Sequence, residues 1–449
     1  MSPPPLDWLF EKFAQREGDE AVIWRDRAFT YRELLDRIEA CRSRFHAEGI
    51  QPGEGVMLDA DFSPAAIAML LALVAERAVV VPVAAHVTAD REKLGEIAQV
   101  SRFITIDKGD AYRIRTVHRE VTHPLLLQLR ASGSPGMVLF SSGSTGEPKA
   151  TLHNLDHLLN KFKVPRHTQR MITFLLFDHI GGFNTLMYTL ANCGCVITLE
   201  GRDPDTVCAA VQKHRAEVLP TSPTFLRLML MSGAHHQYDL SSLKVINYAT
   251  EVMPQATLSA LYEAFPGVEL RQSYGLSELG ILRSQSRSSD SLWVKVGGED
   301  YQTRVVDGVL QIKAKSSMMG YLNAPSPFTD DGWFNTQDEV EVDGEWLRFK
   351  GRKSSIINVG GEKVYPEEVE TVILEVDNIA DATVTKEPHP FTGNIVVAEV
   401  QLREPEDLKD VTKRIRAHCF TKLPSFKVPV KVKLMDEGRV LERFKKKRV

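Results

Sequence analysis

The chain has 449 residues, of which 43% are hydrophobic and 25% are charged, and its formal net charge is −4 at pH 7. These proportions are those of an ordinary globular protein, and the small negative charge excludes a bulk electrostatic case for binding nucleic acid. A chain of this length exceeds a single hydrophobic core, so we expect two or more domains.

The cysteines and the apolar runs indicate the cellular compartment. Five cysteines occur without a C-x-x-C pair, and an odd, sparse set is typical of a reducing compartment. Cys193 and Cys195 could form half of a metal site, but without a second pair nearby we expect small buried apolar residues. No signal peptide is visible, and the longest apolar run, residues 65–75, is too short to span a bilayer. We therefore expect a cytoplasmic protein without a membrane span.

Strand and helix patterns alternate through the first part of the chain. The predicted elements are, in order, helix 7–16, strands 21–24 and 28–30, a helix from 31 to near 49, strand 56–58, helix 64–75 and strand 79–83. Thr30 and Glu33 form a capping box at the start of the long helix. The alternation returns between residues 186 and 248, and it predicts an α/β fold with mostly parallel sheets.

Residues 137–149 combine a buried strand pattern with a loop of small and hydroxylated residues. The loop consists of Ser141, Ser142, Gly143, Ser144, Thr145 and Gly146, and it is followed by Glu147, Pro148 and Lys149. Backbone N–H groups, hydroxyls and one ammonium together suit a phosphate. The segment is not a Walker A loop, because Lys149 follows a proline and precedes Ala150. A flexible Ser/Gly linker is the alternative, and the strand directly ahead of the loop argues against it.

Residues 177–184 place a histidine ahead of two glycines. His179 stands at a predicted strand-to-helix junction, where Gly181 and Gly182 allow the imidazole to come close to a ligand. The alternative is a histidine that only caps the helix at a tight turn.

Residues 272–278 form a second motif whose side chains suit a nucleotide and a metal ion. Tyr274 offers an aromatic face to a purine, and Gly275 permits a close approach. Ser277 can donate to a phosphate oxygen, and Glu278 is an oxygen ligand suited to Mg²⁺. An unremarkable capped turn is the alternative at this point of the chain.

The remainder of the chain predicts strands, a boundary and a basic end. Residues 294–319 predict a small β-rich region. Residues 349–355 predict a boundary loop, because a glycine and polar residues separate two strand patterns. Gly360 and Gly361 permit a close backbone approach, and Pro366 begins a helix. The basic run at 443–448 is, by itself, typical of a solvated tail.

Several of these motifs, in their order along nearly the whole chain, resemble those of the adenylate-forming superfamily, which includes acyl-CoA and aryl-CoA synthetases, peptide-synthetase adenylation domains and luciferases. The resemblance rests on the loop at 141–149, the motif at 272–278, Asp338 and Arg352. This chain departs from the family pattern at five positions, which are Ala249, Thr250, Gln337, Ser354 and Phe444.

The resemblance implies a set of site residues. The implied ATP-binding residues are Ser141, Ser142, Gly143, Ser144, Thr145, Gly146, Lys149, Thr250, Glu251, Tyr274, Gly275, Asp338 and Arg352. The implied catalytic residues are Lys445, Glu278, Ser277 and His179, with Glu278 also the Mg²⁺ ligand and Lys446 the fallback for Lys445. The implied acyl pocket consists of His179, Phe183, Asn184, Tyr248, Ser273 and Leu276. Gly360 and Gly361 would line a coenzyme A tunnel, and Ser354 would be the hinge.

The resemblance also implies the fold, the domains and the reaction. It implies a large N-terminal domain (1–350) with mostly parallel sheets and a small, mobile α+β C-terminal domain (351–449). The implied activity is an acid–thiol ligase that uses ATP and Mg²⁺ to form an acyl-adenylate from an acyl or aryl acid and transfers the acyl group to coenzyme A. A carrier-protein phosphopantetheine is the alternative acceptor. A nucleotide- or acyl-binding homologue without turnover is the alternative from another class of protein.

Overall fold

The computed structural model of the chain describes residues 5–85, 89–142 and 147–435. The first elements are α1 (Asp7–Ala14), β1 (Glu20–Trp24), β2 (Arg27–Thr30), α2 (Tyr31–Ala47), β3 (Gly55–Ala60), α3 (Pro64–Ala75), β4 (Val79–Ala84), α4 (Arg91–Ile97), β5 (Arg102–Ile106), β6 (Tyr112–Thr116), α5 (Pro124–Ser132), β7 (Gly136–Ser142), β8 (Pro148–Asn154) and α6 (Leu155–Leu159). A short 3-10 segment, Asn160–Lys163, follows α6. Thr30 and Glu33 form the expected capping box of α2.

The middle of the chain continues the alternation and then turns to strands. Its elements are β9 (Arg170–Ile172), α7 (Ile180–Ala191), β10 (Cys195–Ile197), α8 (Pro204–His214), β11 (Val218–Thr221), α9 (Pro223–Ser232), β12 (Val245–Tyr248), α10 (Gln255–Ala264), β13 (Glu269–Gln272), β14 (Gly275–Leu276), β15 (Gly280–Ile281), β16 (Ser284–Ser286), β17 (Val294–Val296), β18 (Tyr301–Val306), β19 (Val309–Ala314), β20 (Gly320–Tyr321), β21 (Phe334–Asp343) and β22 (Trp346–Arg352).

The last elements form a smaller unit. They are β23 (Ile357–Val359), β24 (Glu362–Val364), α11 (Pro366–Ile373), β25 (Ile379–His389), β26 (Gly393–Leu402), α12 (Leu408–Lys422) and β27 (Lys431–Leu434). Their apolar residues form a core that runs from Ile357 to Val432 and includes no residue of the earlier elements. This separate core supports a distinct α+β unit at the C-terminal end of the chain.

Two large sheets organise the N-terminal part. The first has the order β13-β12-β11-β9-β10-β1-β2 and is parallel except for β2 at its edge. The second has the order β20-β8-β7-β4-β3-β5-β6, and its central four strands are parallel while β20, β8 and β6 are antiparallel to their neighbours. The α/β class is confirmed, and antiparallel strands at the sheet edges make the second sheet mixed.

A layer of helices packs between these two sheets. Residues of α1, α2, α3, α6 and α7 share one apolar core with strand residues from both sheets. All residues of α3 are buried, which explains why its sequence is apolar on every side. The prediction of a core helix at residues 64–75 is confirmed.

A third sheet follows the two large ones and is entirely antiparallel, with the order β16-β17-β22-β21-β19-β18. It confirms the β-rich region expected at 294–319. The boundary loop expected at 349–355 was wrong in its first half, because β22 continues through Arg352 and a 3-10 turn covers Lys353–Ser355. The register of β21 and β22 explains this continuation, since it pairs Asp338 with Arg352.

The described helices and the cysteines bear on two further expectations, a membrane span and disulfide pairing. No helix of the described ranges is long and apolar enough to cross a membrane. All five cysteines are unpaired, and Cys41, Cys195, Cys208 and Cys419 are buried, as expected for small apolar residues.

Candidate functional site

Lys149 stands at the start of β8, directly after the loop that the sequence assigned to phosphate. Strand β8 pairs with β7, so Ser141 lies opposite Lys149. The backbone on both sides of the lysine is fixed by Asn323, whose amide accepts from Ala150 N (2.9 Å) and donates to Pro148 O (2.8 Å). Residues 143–146 and the side chain of Ser142, which belong to the predicted phosphate loop, lie outside the described part of the chain.

Lys149 and Glu278 meet at one aromatic side chain. The Tyr321 hydroxyl donates to Glu278 Oε1 at 2.6 Å, and Lys149 Nζ lies 5.4 Å from the centroid of the same ring. Tyr321 lies on β20, which pairs with β8, and this pairing brings its ring beside Lys149. The structure therefore brings together the predicted phosphate lysine and the predicted Mg²⁺ carboxylate, although 129 residues of sequence separate Lys149 from Glu278.

A buried histidine fixes the turn that presents Glu278. His153 Nε2 donates to Ser277 O at 2.6 Å, and the ring is fully buried. Burial lowers the pKa of His153 to about 4, so the imidazole stays neutral at physiological pH. The backbone of Glu278 is held as well, because its carbonyl accepts from Met318 N at 2.7 Å.

Asp338 occupies the centre of a buried polar group. Tyr274 Oη donates to Asp338 Oδ2 at 2.6 Å, and Arg352 Nε donates to Asp338 Oδ1 at 3.2 Å. Burial raises the pKa of the Asp338 carboxyl, and Arg352 and the Tyr274 hydroxyl oppose that change. The group joins three predicted ATP-binding residues, and each carboxylate oxygen retains further acceptor capacity for a ribose hydroxyl.

The environment of Tyr274 qualifies one prediction. Its ring stacks on Phe349, with centroids 4.5 Å apart and planes inclined by 16°. One face of the ring therefore packs against β22, and the role of Tyr274 toward a purine stays a prediction. A purine can approach only the other face.

At two positions where this chain departs from the family pattern, the backbone adopts a conformation that favours glycine. Gln337 has φ 62° and Thr250 has φ 79°, both in the left-handed region. Such values are rare for a residue other than glycine, and for a β-branched residue they indicate strain. Both side chains therefore stand on a backbone conformation that glycine would adopt without strain.

A row of buried polar atoms marks the carboxyl end of the first sheet. Thr221, Tyr248 and Gln272 are register partners at the ends of β11, β12 and β13. Thr221 Oγ1, Tyr248 Oη, Gln272 Oε1 and the neighbouring Thr250 Oγ1 are buried without a hydrogen-bond partner in the described chain. Ligands of α/β sheets bind at this edge, and buried polar atoms without partners indicate that a ligand or water satisfies them.

The other predicted pocket residues have definite positions. His179 caps α7, because its Nδ1 accepts from Gly181 N at 2.9 Å. This nitrogen therefore has the capping role that the sequence analysis gave as the alternative. Phe183, Tyr248 and Leu276 are buried in three different apolar cores and do not form one cluster. Asn184 Oδ1 accepts from Lys161. Ser273 Oγ donates to Asn247 Oδ1 at 2.6 Å.

Glu251 also has a partner inside the protein. Its Oε2 accepts from Thr224 Oγ1 at 2.6 Å and from Thr224 N at 3.3 Å, at the beginning of α9. The structure therefore gives Glu251 a local capping contact, and its role toward ATP stays a prediction.

The contacts between the C-terminal unit and the N-terminal part include a partly buried hydrogen bond and a buried ion pair. The Tyr365 hydroxyl donates to Glu339, the residue that follows Asp338. Arg227 of α9 forms an ion pair with Asp381 of β25 at 2.5 Å, and both side chains are at most 15% exposed. Gly360 and Gly361 form the exposed turn between β23 and β24, and Ser354 is exposed in the 3-10 turn after β22. Lys445 and Lys446 lie outside the described residues.

Sequence reasoning missed Tyr321, Asn323 and Phe349. All three act through contacts with residues far away in the chain, which one sequence does not reveal. A signal existed only in part, since a tyrosine and an asparagine in the turn-rich segment 320–323 offer donors and acceptors without indicating their partners.

The chain is similar to known proteins over most of its length. Residues 9–307 match the family model of the AMP-binding enzymes, and residues 368–443 match the model of the AMP-binding enzyme C-terminal domain. The chain is similar to the indoleacetate–CoA ligase of Aromatoleum aromaticum, at 24% identity over 96% of this chain and 94% of that protein. It is also similar to the 2-succinylbenzoate–CoA ligase of Enterococcus faecalis, at 27% identity over 70% of this chain and 67% of that protein.

A solved structure shows the same fold. The anthranilate CoA ligase AuaEII, determined in complex with anthranoyl-AMP, superposes with a TM-score of 0.81 at 19% identity. The match covers 97% of this chain and 93% of that chain.

Proposed function

The chain belongs to the family of AMP-binding enzymes, and from that premise we propose how its site acts as an acid–CoA ligase. The activity is the ATP-dependent conversion of an organic carboxylic acid to its acyl-adenylate, followed by transfer of the acyl group to coenzyme A. Both relatives named above are CoA ligases.

The observation that supports this assignment best is the meeting of Lys149 and Glu278 at Tyr321. In the first step a carboxylate oxygen of the acid attacks the α-phosphorus of ATP, and pyrophosphate leaves. Two anions must approach each other in this step, so fixed positive charge near the phosphates lowers the barrier. Lys149 supplies one such charge, and the fixed backbone of Pro148 and Ala150 holds it in place.

Glu278 is the residue that would hold Mg²⁺. A single carboxylate suits this ion, because Mg²⁺ is commonly bound by one or two carboxylates together with substrate phosphates. When bound, the ion neutralises the charge of the phosphates and of the departing pyrophosphate. The Tyr321 hydroxyl orients the carboxylate, and His153 fixes the backbone ahead of it.

The nucleoside part of ATP fits the remaining features. We assign the ribose hydroxyls to Asp338, and the adenine to the face of Tyr274 opposite Phe349 and to the strained turn at Thr250. The buried hydroxyls at the ends of β11 and β12 support a ligand at this edge of the sheet.

The second step needs an acceptor thiol. Its sulfur attacks the acyl carbonyl, the bond to the phosphate oxygen breaks, and AMP leaves. We assign coenzyme A to this role, and we keep as predictions the tunnel at Gly360 and Gly361, the hinge at Ser354 and the adenylation lysine Lys445. The division at residue 350/351 and the cytoplasmic location also stay predictions.

Product analysis with variants tests the assignment. The wild-type chain is incubated with ATP, Mg²⁺, coenzyme A and a panel of acyl and aryl acids, and AMP and acyl-CoA are measured by mass spectrometry. We expect both products in equal amounts, and a loss of about a hundredfold or more in Glu278→Gln. Glu299→Gln, an exposed carboxylate of the same part of the chain, serves as the control.

Three other outcomes would revise the assignment. Acyl-adenylate without acyl-CoA, followed by transfer to an added phosphopantetheinyl carrier protein, would name the carrier as acceptor. ATP binding without any AMP would indicate a homologue without turnover. Full activity in Glu278→Gln would remove Glu278 from the metal site.

A further inference from the structure

Lys161 is a lysine inside the protein that the reaction described above does not use. It lies in the 3-10 segment after α6, and its Nζ donates to Asn184 Oδ1 at 2.6 Å and to Ile281 O at 2.7 Å. The ring of Phe162 lies 4.9 Å from the same nitrogen. The side chain thus bridges α7 and β15 while remaining only half-buried.

The positive charge of Lys161 has no anion beside it. Within the ranges that the structure describes, no carboxylate lies within ion-pair distance of its Nζ, and both hydrogen-bond acceptors are neutral. Burial is the cause that lowers the pKa of Lys161 to about 7, so the protein interior disfavours the charged form. An ammonium in such surroundings is costly unless an anion compensates it.

Donors remain available at the same place. An ammonium has three N–H groups, and two of them reach Asn184 and Ile281. Asn184 accepts through Oδ1, which leaves its Nδ2 without a partner in the described chain. Part of the surface of the Lys161 residue stays accessible.

One of the two bridged elements, α7, carries predicted acyl-pocket residues, and the other, β15, pairs with the strand that carries Leu276. Helix α7 begins after His179 and contains Phe183 and Asn184. Strand β15 pairs with β14, where Gly275 lies opposite Ile281 and Leu276 lies opposite Gly280. Lys161 therefore joins the helix that carries Phe183 and Asn184 to the hairpin that carries Leu276.

We propose that the acid activated by this chain carries a second carboxylate, and that Lys161 is the specificity-determining residue that binds it. This inference rests on the proposed acid-activating function. The second carboxylate accepts from the third N–H of Lys161 and from Asn184 Nδ2, while the reacting carboxylate lies toward Glu278 and Lys149. A neutral side chain in place of Lys161 could tie α7 to β15, but it could not compensate an anionic substrate.

The test compares each dicarboxylic acid with its half-methyl ester in acid-dependent ATP–pyrophosphate exchange. The panel holds straight-chain dicarboxylic acids and carboxyl-substituted aryl acids, and each ester keeps the length of the acid while removing one charge. In the wild-type chain we expect at least one diacid to exceed its half-ester by about 30-fold or more in kcat/KM.

Variants locate that preference. Lys161→Met and Lys161→Gln should both bring the ratio of diacid to half-ester close to one, while exchange with half-esters persists. The matched control is Lys163→Met, an exposed lysine of the same 3-10 segment, and it should leave the ratio unchanged. A merely architectural tie would lower exchange with diacids and half-esters alike.

The outcomes separate this inference from the proposed function. If the wild-type chain exchanges pyrophosphate as efficiently with half-esters or simple monoacids as with every diacid, the proposal of a second carboxylate on the substrate is overturned. An unchanged ratio in both Lys161 variants would overturn the role of Lys161. No exchange with any acid would overturn the proposed function itself.

Discussion

At the scale of single residues, the side chains of the candidate site form hydrogen bonds with one another. Asp338 accepts from Tyr274 and Arg352, and Glu278 accepts from Tyr321. The motifs and the family resemblance selected Asp338, Tyr274, Arg352 and Glu278 as candidates, because their chemistry suits a nucleotide and a metal ion. Their mutual contacts were not predictable, since a hydrogen bond between distant residues depends on strand pairing that one sequence does not contain.

Asp338→Asn tests the ribose assignment. The amide keeps the shape of the side chain but loses the charged acceptor, and a hydrogen bond to a charged group contributes about 1.5–3 kcal/mol. We expect the KM for ATP to rise by about tenfold or more, measured in steady-state AMP formation. Asp343→Asn, at the exposed end of the same strand, is the control. An unchanged KM in a folded Asp338→Asn variant would exclude Asp338 from the ATP site.

His153 gives the chain a defined dependence of stability on pH. Its pKa is about 4 when folded and near 6.5 when unfolded, so between these values the unfolded chain binds a proton that the folded chain does not. The free energy of unfolding therefore falls as the pH drops from 6.5 toward 4. In His153→Gln that decline should be shallower, as followed by urea unfolding at several pH values.

The exposed His167 provides the comparison for this prediction. The variant His167→Gln should retain the wild-type decline between pH 6.5 and 4. Parallel curves for wild type and His153→Gln would show that the buried imidazole does not govern this range.

At the scale of elements, the predictions succeeded where the signal was local. The helices α2 and α3 and the strands β3 and β4 lie close to their predicted positions, because their caps and apolar periods are encoded in adjacent residues. The antiparallel edges of the second sheet and the extension of β22 to Arg352 were not predicted, because strand partners come from distant segments. The left-handed backbone of Gln337 was not predicted either, and it directly precedes Asp338, which pairs with Arg352.

Gln337→Gly tests whether this turn stores strain. A left-handed backbone costs about 1–2 kcal/mol for a residue other than glycine, so glycine removes that cost. Glycine also loses more backbone entropy on folding, which offsets about 0.5–1 kcal/mol of the stabilisation. Gln337 is exposed, so little packing is lost. We expect the free energy of unfolding to rise by about 0.5–1 kcal/mol in chemical denaturation. Gln337→Ala should give no such gain, and equal effects of the two substitutions would show that the turn is unstrained.

At the scale of the whole molecule, a buried ion pair and a partly buried hydrogen bond join the C-terminal unit to the N-terminal part. The Arg227–Asp381 pair and the Tyr365–Glu339 hydrogen bond join elements that belong to separate apolar cores. The two-part organisation was predictable from length and from the glycine and polar residues at 349–355. The contacts were not, because a sequence does not specify how two packed units orient toward each other.

Arg227→Leu tests whether this orientation matters for the reaction. Removing one partner of a buried ion pair costs about 3–5 kcal/mol, so the observed orientation should become less populated. We expect lower energy transfer between fluorophores placed on α8 and α12, and unequal effects on adenylation and on thioester formation. Arg271→Leu, which breaks an exposed pair within the N-terminal part, is the control. Unchanged energy transfer would mean that other contacts hold the units together.

The central claim is that this chain activates an organic acid as its adenylate. Acid-dependent exchange of labelled pyrophosphate into ATP measures that step directly, because it needs neither coenzyme A nor release of the product. We predict that at least one organic acid supports exchange in the presence of Mg²⁺ and that Lys149→Ala reduces it by about a hundredfold or more. If the folded chain binds ATP yet no acid of a broad acyl and aryl panel supports exchange, the claim is contradicted.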